Sequence, residues 1–382
     1  MQQLISADSH MDLGWLPHDL FTSRMDASWG ERTPHVAQTP DGLKWVSGSA
    51  VLTGIAGVGA AGRVYEAGRS KRADRMADTG LYAGGHRRPG DPLERLGEQD
   101  RDGVFAEVLY GLHAMAPRLG DAALASAVAR AFNDYMVEFC AAAPERLIGL
   151  ACLPIENGKA AAAELVRCAR LGMRGAVIDI KSAPAPIHDE SWDPLWAAAS
   201  ECGLPISFHL AGKRGPSPLV APGAHVTNGG AVRREGCIAM SMLQYMGAAD
   251  YFGIILGGAL DRYPALQIVL AESGIGWIPH MLERLEYVID NDYRDIRLDL
   301  RPSEYWARQM YATFSKDQTG IDQIEALGED RIMFASDFPH PDGIFPDSQA
   351  YFTQQASALE PQAREKVAWR NAADLYRIAA PT

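Results

Sequence analysis

Short apolar runs alternate with stretches of helical periodicity along most of this chain. Eight of these runs have the length of buried strands, and apolar residues recur at helical spacing in the stretches between them. Strands that alternate with helices in this way are typical of βα units repeated around a parallel sheet. Eight such units predict an α/β fold of the (β/α)8 TIM-barrel type. The predicted strands are Gln3–Ala7, Val104–Tyr110, Leu147–Leu153, Gly175–Ile180, Pro205–His209, Gln267–Ala271, Met310–Phe314 and Arg331–Ser336.

Four of the intervening helices have ends that the sequence marks. Pro144 ends the first of them, and a glycine follows the second and the third. In the fourth, Pro279 lies in the first turn, where proline is tolerated. The predicted helices are Asp121–Ala143, Gly158–Leu171, Asp193–Cys202 and Ile275–Asn291.

Two segments interrupt the alternation of strands and helices. Residues from about 14 to 93 are rich in Gly, Arg and Pro and far exceed an ordinary βα loop, and residues from about 213 to 236 form a second Gly/Pro-rich segment. Long loops on the C-terminal face of a barrel are usually functional lids or dimer arms. The sequence therefore predicts one domain over residues 1–382, with both insertions over the C-terminal face of the barrel.

Three of the predicted strands end on side chains that can bind a metal. Asp8 and His10 lie two residues apart after the first apolar run, so they point to the same face. His209 ends the fifth strand, and Asp337 follows the eighth. Because the carboxyl ends of barrel strands meet on one face, these four side chains are expected to form a mononuclear metal site. Two nitrogens and two carboxylates suit Zn2+, with Mn2+ as the alternative.

A metal-free interpretation exists for three of these residues taken alone. Asp8 could cap the following helix beside a hydrogen-bonded His10, and His209 could be a core histidine. A buried carboxylate next to an imidazole is, however, costly unless both coordinate something. The four positions together therefore favour a metal.

Other ionisable residues near these strand ends are candidates for catalysis or substrate binding. Asp337, between metal and substrate, is the candidate proton carrier, and Glu272, after the sixth strand, is the candidate second acid/base. A salt bridge from Glu272 to a basic residue of the insertions is the structural alternative. The candidate substrate contacts are His113, after the second strand, and His340, in a loop that two prolines make rigid.

Composition narrows the choice of partners and compartment. A net charge of −12 argues against nucleic acid as the main partner, since phosphate neutralisation needs clustered Lys and Arg. Five cysteines without a C-x-x-C motif favour buried thiols and a reducing compartment. The N-terminus has no signal-peptide pattern, and no apolar run approaches the roughly 20 residues of a membrane helix. We expect a cytoplasmic protein that acts on a small molecule, with no nucleic-acid or membrane partner.

Several landmark segments, in their order and spacing, resemble amidohydrolase family 2, whose members include aminocarboxymuconate semialdehyde decarboxylase and γ-resorcylate decarboxylase. The resemblance implies a TIM barrel, metal ligands at Asp8, His10, His209 and Asp337, and a homodimer. It extends over nearly the whole chain. The segments that carry it are Ile5–His10, Ala143–Gly149, Leu171–Ala176, Trp192–Trp196, Gly276–Pro279, Ser336–His340 and Asn371–Tyr376.

Two departures from the family pattern leave the reaction open. Asp8 stands where members often have His or Glu, and Glu272 stands where many place a catalytic His. One expected reaction is hydrolysis of an amide, lactone or C–C bond by metal-activated water; the other is non-oxidative decarboxylation of a small acidic or aromatic substrate. The alternative from another class is a catalytically silent barrel that acts as a ligand-binding or scaffold protein.

Overall fold

The computed structural model describes residues 2–59, 62–83, 88–112, 115–209, 234, 237–238 and 240–379. His113 and all of the insertion expected at about 213–236 except Arg234 lie outside these residues. Within the described residues, no helix has both the length and the apolarity that crossing a membrane requires.

Parallel strands found at all eight predicted positions form the core of the fold. Their bounds are β1 Ile5–His10, β5 Ala106–Tyr110, β6 Leu147–Gly149, β7 Ala151–Cys152, β8 Ala176–Ile178, β9 Ile206–Phe208, β10 Ile268–Leu270, β11 Met310–Phe314 and β12 Ile332–Phe334. They pair in the order β1-β5-β6 and β7-β8-β9-β10-β11-β12. Nearly all of their residues are buried, as expected for a parallel sheet covered by helices.

Backbone hydrogen bonds join the two sheets into a closed barrel. The predicted strand 147–153 is interrupted at Leu150, whose N–H donates to Leu109 at 3.0 Å, while the next N–H, of Ala151, donates to Gly175 at 3.0 Å. One strand thus pairs with both neighbours. At the other seam the Asp337 N–H donates to the Asp8 carbonyl at 2.9 Å, and the His10 N–H donates to the Phe338 carbonyl at 2.6 Å. The predicted (β/α)8 barrel is confirmed.

The helices surround the barrel, and the four predicted ones are present. The described helices are α1 Lys71–Ala77, α2 Pro92–Asp102, α3 Ala116–Leu119, α4 Ala122–Cys140, α5 Gly158–Arg170, α6 Asp193–Cys202, α7 Ala248–Leu256, α8 Ala259–Arg262, α9 Ile278–Asp292, α10 Pro302–Gln309, α11 Gln318–Asp322, α12 Ile324–Leu327, α13 Ser348–Gln355, α14 Pro361–Glu365 and α15 Asn371–Tyr376. The start predicted for α9 was wrong by three residues. The N–H groups of Ile275 and Gly276 both donate to the Asp317 carboxylate and so form a turn before the helix.

The segment predicted as an insertion at about 14–93 contains regular structure that the sequence did not indicate. Three antiparallel strands, β2 His35–Thr39, β3 Gly42–Ser47 and β4 Ala50–Gly54, form a small sheet. Farther along the chain, Met76 and Leu81 pack in a buried cluster with Phe338 and Phe345, from the loop that follows β12. These residues therefore contact the loop that carries Asp337. The division into one domain with two insertions stays a prediction.

Candidate metal centre

The ends of β1, β9 and β12 carry the four predicted metal ligands into one buried region. Asp8 and His10 are 1% and 2% exposed at the end of β1, and His209 directly follows β9. Asp337 lies three residues after β12, in the left-handed backbone region with φ of 56°. These positions result from strand ends meeting on the C-terminal face, as the sequence predicted.

The distances between donor atoms are those expected of ligands that share one ion. His10 Nε2 lies 3.5 Å from Asp8 Oδ1 and 3.2 Å from Asp337 Oδ1, and His209 Nε2 lies 3.6 Å from the same Asp8 oxygen. Donor atoms about 2.1 Å from a common ion lie roughly 3.0–3.5 Å apart. Asp8, His10 and His209 each offer an atom within 4.8 Å of the others, whereas Asp337 lies outside this group and approaches His10.

The chemistry of this cluster fits a divalent cation. Both Asp8 oxygens and His10 Nε2 are buried, with no hydrogen-bond partner among the described residues. Burial raises the pKa of Asp8 to about 7, against the opposing effect of His10. Burial and the neighbouring His10 lower the pKa of His209 well below its usual value, which favours the neutral imidazole that binds metals. A cation would satisfy the buried Asp8 and His10 atoms that have no hydrogen-bond partner among the described residues.

His340 connects the cluster to Asp12, a residue that the sequence reasoning missed. Its Nε2 lies 2.8 Å from Asp12 Oδ2, its Nδ1 lies 3.0 Å from Asp337 Oδ1, and its ring stacks on His10 with centroids 4.0 Å apart. Although burial opposes both shifts, these contacts raise the pKa of His340 well above its usual value and lower that of Asp12 to about 2. The available signal was the spacing Asp8-x-His10-x-Asp12, which continues the alternation beyond the strand.

Glu272 borders the same cluster from the end of β10. Its N–H donates to Thr313 Oγ1 at 2.9 Å, and its Oε2 lies 3.5 Å from His209 Nε2. Burial first, and then the charges of Asp337 and Asp8, raise the pKa of Glu272 well above its usual value. Among the described residues, Glu272 forms an ion pair with His209 and with no basic residue of 14–93. Glu272 therefore lies beside the candidate ligand His209, and its role stays a prediction.

A cavity of about 310 Å3 opens beside these carboxylates. Small-molecule sites usually measure roughly 300–1,000 Å3, so this cavity suits a small ligand. Glu272 and Asp337, the two candidate acid/base residues, both line it, together with sulfur-containing and polar residues. The described lining residues are Cys237, Met240, Ser241, Gln244, Glu272, Ser315, Lys316, Asp337 and Asp342.

The architecture and the site together define a class of protein. A TIM barrel with a buried carboxylate–histidine cluster at its C-terminal strand ends has the organisation of a metal-dependent barrel enzyme. A family model described as amidohydrolase matches residues 83–378, so the chain belongs to the amidohydrolase family. The resemblance recognised in the sequence is confirmed.

Several proteins similar to this chain are named decarboxylases. The γ-resorcylate decarboxylase of Polaromonas sp. is 30% identical over 304 residues, which cover 74% of this chain and 86% of that protein. A solved structure of a dihydroxybenzoic acid decarboxylase from Polaromonas sp., with bound manganese and the inhibitor 2-nitroresorcinol, has a TM-score of 0.65 and 21% identity and covers 100% of this chain and 98% of its own. A second solved structure is a 5-carboxyvanillate decarboxylase from Novosphingobium aromaticivorans, complexed with manganese and 4-hydroxy-3-methoxy-5-nitrobenzoic acid. It has a TM-score of 0.63 and 22% identity, and it covers 81% of this chain and 84% of its own. The two structures support the fold.

Proposed function

We propose that this protein is a metal-dependent carboxy-lyase that removes CO2 from a small aromatic acid. The observation that carries the proposal is the buried Asp8–His10–His209 group, whose donor atoms lie close enough together to hold one divalent ion beside a cavity of ligand size. The decarboxylase relative that matches 74% of the chain supports this reaction over the others expected of the family. A silent scaffold would have no need of a buried, unpaired carboxylate.

Asp8, His10, His209 and Asp337 are the proposed metal ligands. The carboxylate-rich site, to which Glu272 adds a further oxygen donor nearby, suits Mn2+ as well as Zn2+. The manganese present in two structurally similar decarboxylases supports Mn2+, although two histidines made Zn2+ the first expectation from sequence. When bound, the ion would polarise the carboxylate and adjacent hydroxyl of the substrate.

The protein groups that line the cavity would handle the proton. Loss of CO2 from an aromatic acid leaves a ring carbon that must gain a proton, so an acid group has to face the ring. Asp337 lines the cavity and contacts both His10 and His340, and we assign it the role of proton carrier. Glu272 lines the same cavity beside His209 and is the proposed second acid/base. His340, which Asp12 holds in place, and His113 are the proposed substrate contacts.

Hydrolysis remains the second candidate because Glu272 stands where the family pattern led us to expect a histidine. A carboxylate there is suited to accept a proton from an attacking water. Isotope labels distinguish the two reactions: hydrolysis in H2 18O places 18O in a product, whereas decarboxylation in D2O places one deuteron on the ring carbon that loses CO2.

The proposal is tested with the purified protein, first by elemental analysis and then with hydroxybenzoates in the presence of Mn2+ or Zn2+. We expect one metal ion per chain and release of CO2. Replacing Glu272 with Gln should retain the metal and lower turnover about 100-fold or more, within the usual range for an acid/base group. Glu283→Gln, an exposed change on α9, is the matched control and should leave turnover unchanged. A metal content below a few tenths of an equivalent after supplementation, or near wild-type turnover by Glu272→Gln, would contradict these roles.

A homodimer and a cytoplasmic location complete the proposal. The packing of Met76 and Leu81 against Phe338 and Phe345 supports a role for residues 14–93 in covering the barrel mouth. The free thiols of the buried Cys152 and Cys168 suit a reducing compartment. Light scattering coupled to size-exclusion chromatography measures the mass, and a monomer would contradict the dimer.

A further inference from the structure

The charges that line the cavity are unequally distributed. Glu272, Asp337 and Asp342 contribute three carboxylates, and Lys316 carries the only positive charge among the described residues that line it. An acidic ligand that enters such a cavity requires compensating positive charge. The proposed metal would supply it beside Asp8 and His10. Lys316 supplies positive charge at a second position in the cavity, beside Asp342.

The ammonium group of Lys316 is anchored, with capacity left for a ligand. It donates to the Asp342 carbonyl and lies 3.6 Å from Asp342 Oδ1. An ammonium has three N–H donors, and the hydrogen bond to the Asp342 carbonyl accounts for one of them among the described residues. The Lys316 and Asp342 side chains are 39% and 55% exposed, and such an exposed ion pair adds little to stability. The placement of Lys316 in the cavity is therefore not explained by a gain in folding energy.

The backbone on both sides of Lys316 is held in place. The Gln355 amide accepts the N–H of Asp317 at 2.7 Å and donates to the carbonyl of Ser315 at 2.9 Å. The Asp317 carboxylate in turn accepts the N–H groups of Ile275 and Gly276, at 2.6 and 2.7 Å. A side chain on a backbone fixed in this way can hold a ligand group at a defined position, which is what specific recognition requires.

We propose that Lys316 is a specificity-determining residue that binds a second anionic group of the substrate, on the side of the ring away from the metal. This inference rests on the proposed function for the placement of the first carboxylate. It restricts the substrate class to aromatic acids with a further carboxylate, or a comparable anion, across the ring. A remaining N–H of the ammonium forms a charge-assisted hydrogen bond to that group.

The inference is tested with Mn2+-loaded protein and two probes. The probes share one end of the molecule and differ at the other. 4-Hydroxy-3-methoxy-5-nitrobenzoic acid and 2-methoxy-6-nitrophenol have the same nitrophenol end for the metal, and only the first has the ring carboxylate. Isothermal titration should show that the wild-type protein binds the acid about tenfold or more tightly than the phenol, the range of a hydrogen bond to a charged group. Lys316→Met should abolish this preference without weakening binding of the phenol, and Lys316→Arg should retain it.

A second lysine provides the control for loss of charge. Lys366 pairs with Glu329 at 2.7 Å just before β12, at the opposite end of the barrel from the site. Lys366→Met should keep the wild-type preference, and thermal melting should show that each variant is folded. The inference is overturned if the wild-type protein shows no preference for the acid, if Lys316→Met keeps that preference, or if Lys316→Met weakens binding of both probes equally. Because binding is measured and not turnover, a protein without decarboxylase activity would count against the proposed function and leave this comparison valid.

Discussion

Arg95 joins four parts of the chain at the back of the candidate site. Its side chain is fully buried in α2, and Nε donates to Glu107 Oε2 on β5 at 2.7 Å. Nη1 donates to the His10 carbonyl at 2.9 Å and to the Pro89 carbonyl at 3.1 Å. The guanidinium carbon also lies 4.9 Å from the ring centroid of Phe338, the residue after Asp337. One side chain thus positions the backbone of a proposed metal ligand and of the loop that carries another.

Replacing Arg95 with Met should therefore lower both stability and metal affinity. The change leaves the Glu107 carboxylate, 3% exposed, without its partner, and breaking a buried ion pair in this way costs about 3–5 kcal/mol. The two carbonyls lose a donor as well, at roughly 1 kcal/mol each if the terms were additive. We expect the free energy of unfolding of the metal-free protein to fall by about 5–7 kcal/mol. Metal affinity should fall about tenfold, or ~1.4 kcal/mol, because the His10 backbone is no longer held.

Urea unfolding of the metal-free protein and chelator competition measure these two effects. Arg101→Met is the matched control, since Arg101 lies on the same helix, is 47% exposed and pairs with Glu98, which keeps Arg88 as a second partner; it should lose less than about 1 kcal/mol. The double variant Arg95→Met/Glu107→Met removes the orphaned charge and should recover part of the loss. If Arg95→Met unfolds at the same urea concentration as Arg101→Met, the reasoning from the buried ion pair is refuted.

Two further predictions concern other buried carboxylates. Asp8→Asn removes a proposed ligand, so Mn2+ or Zn2+ should no longer raise the melting temperature, whereas it should raise that of the wild type; equal shifts would contradict the assignment. Burial raises the pKa of Asp102 to about 7, against hydrogen bonds donated by Ser348. The folded protein therefore holds this proton more tightly than the unfolded chain, and the stability that Asp102 contributes is full below about pH 4 and lost as the pH rises to about 7. Relative to Asp102→Asn, the wild type should have a lower urea midpoint at pH 8 than at pH 5, and a constant difference would contradict the shift.

The sequence predicted the strands that carry the site better than the contacts around them. Strand positions follow from local apolar runs, and the fixed direction of parallel strands then brings Asp8, His10 and His209 together. Asp12 was missed because it lies two residues beyond β1, although its spacing from Asp8 and His10 continues the alternation of the strand. The pairing of Arg95 with Glu107 and with the His10 carbonyl was also missed, since a charged pair in a buried position leaves no periodic signal.

Structure within residues 14–93 could not be predicted for a related reason. The strands β2 and β3 are short and only partly buried, so they lack both the continuous apolar run of a buried strand and the clear alternation of a half-buried one. Their sheet forms through pairing with each other, and the nearby Gly, Arg and Pro residues favour an interpretation as loop. The packing of Met76 on Phe338 depends on residues more than 250 positions apart, which no local pattern records.

The seam between β1 and the residues after β12 has a consequence for how the protein is made. The bonds that close the barrel link Asp8 to Asp337 and His10 to Phe338, so the first strand must wait for the last to be synthesised. A ribosome adds roughly 5–20 residues per second, and the early strand therefore spends many seconds with its edge unpaired. During that time Asp8 and His10 lack two of their partners. A divalent ion bound by residues from both ends of the chain would hold the finished barrel closed. It would therefore stabilise the molecule only after translation is nearly complete.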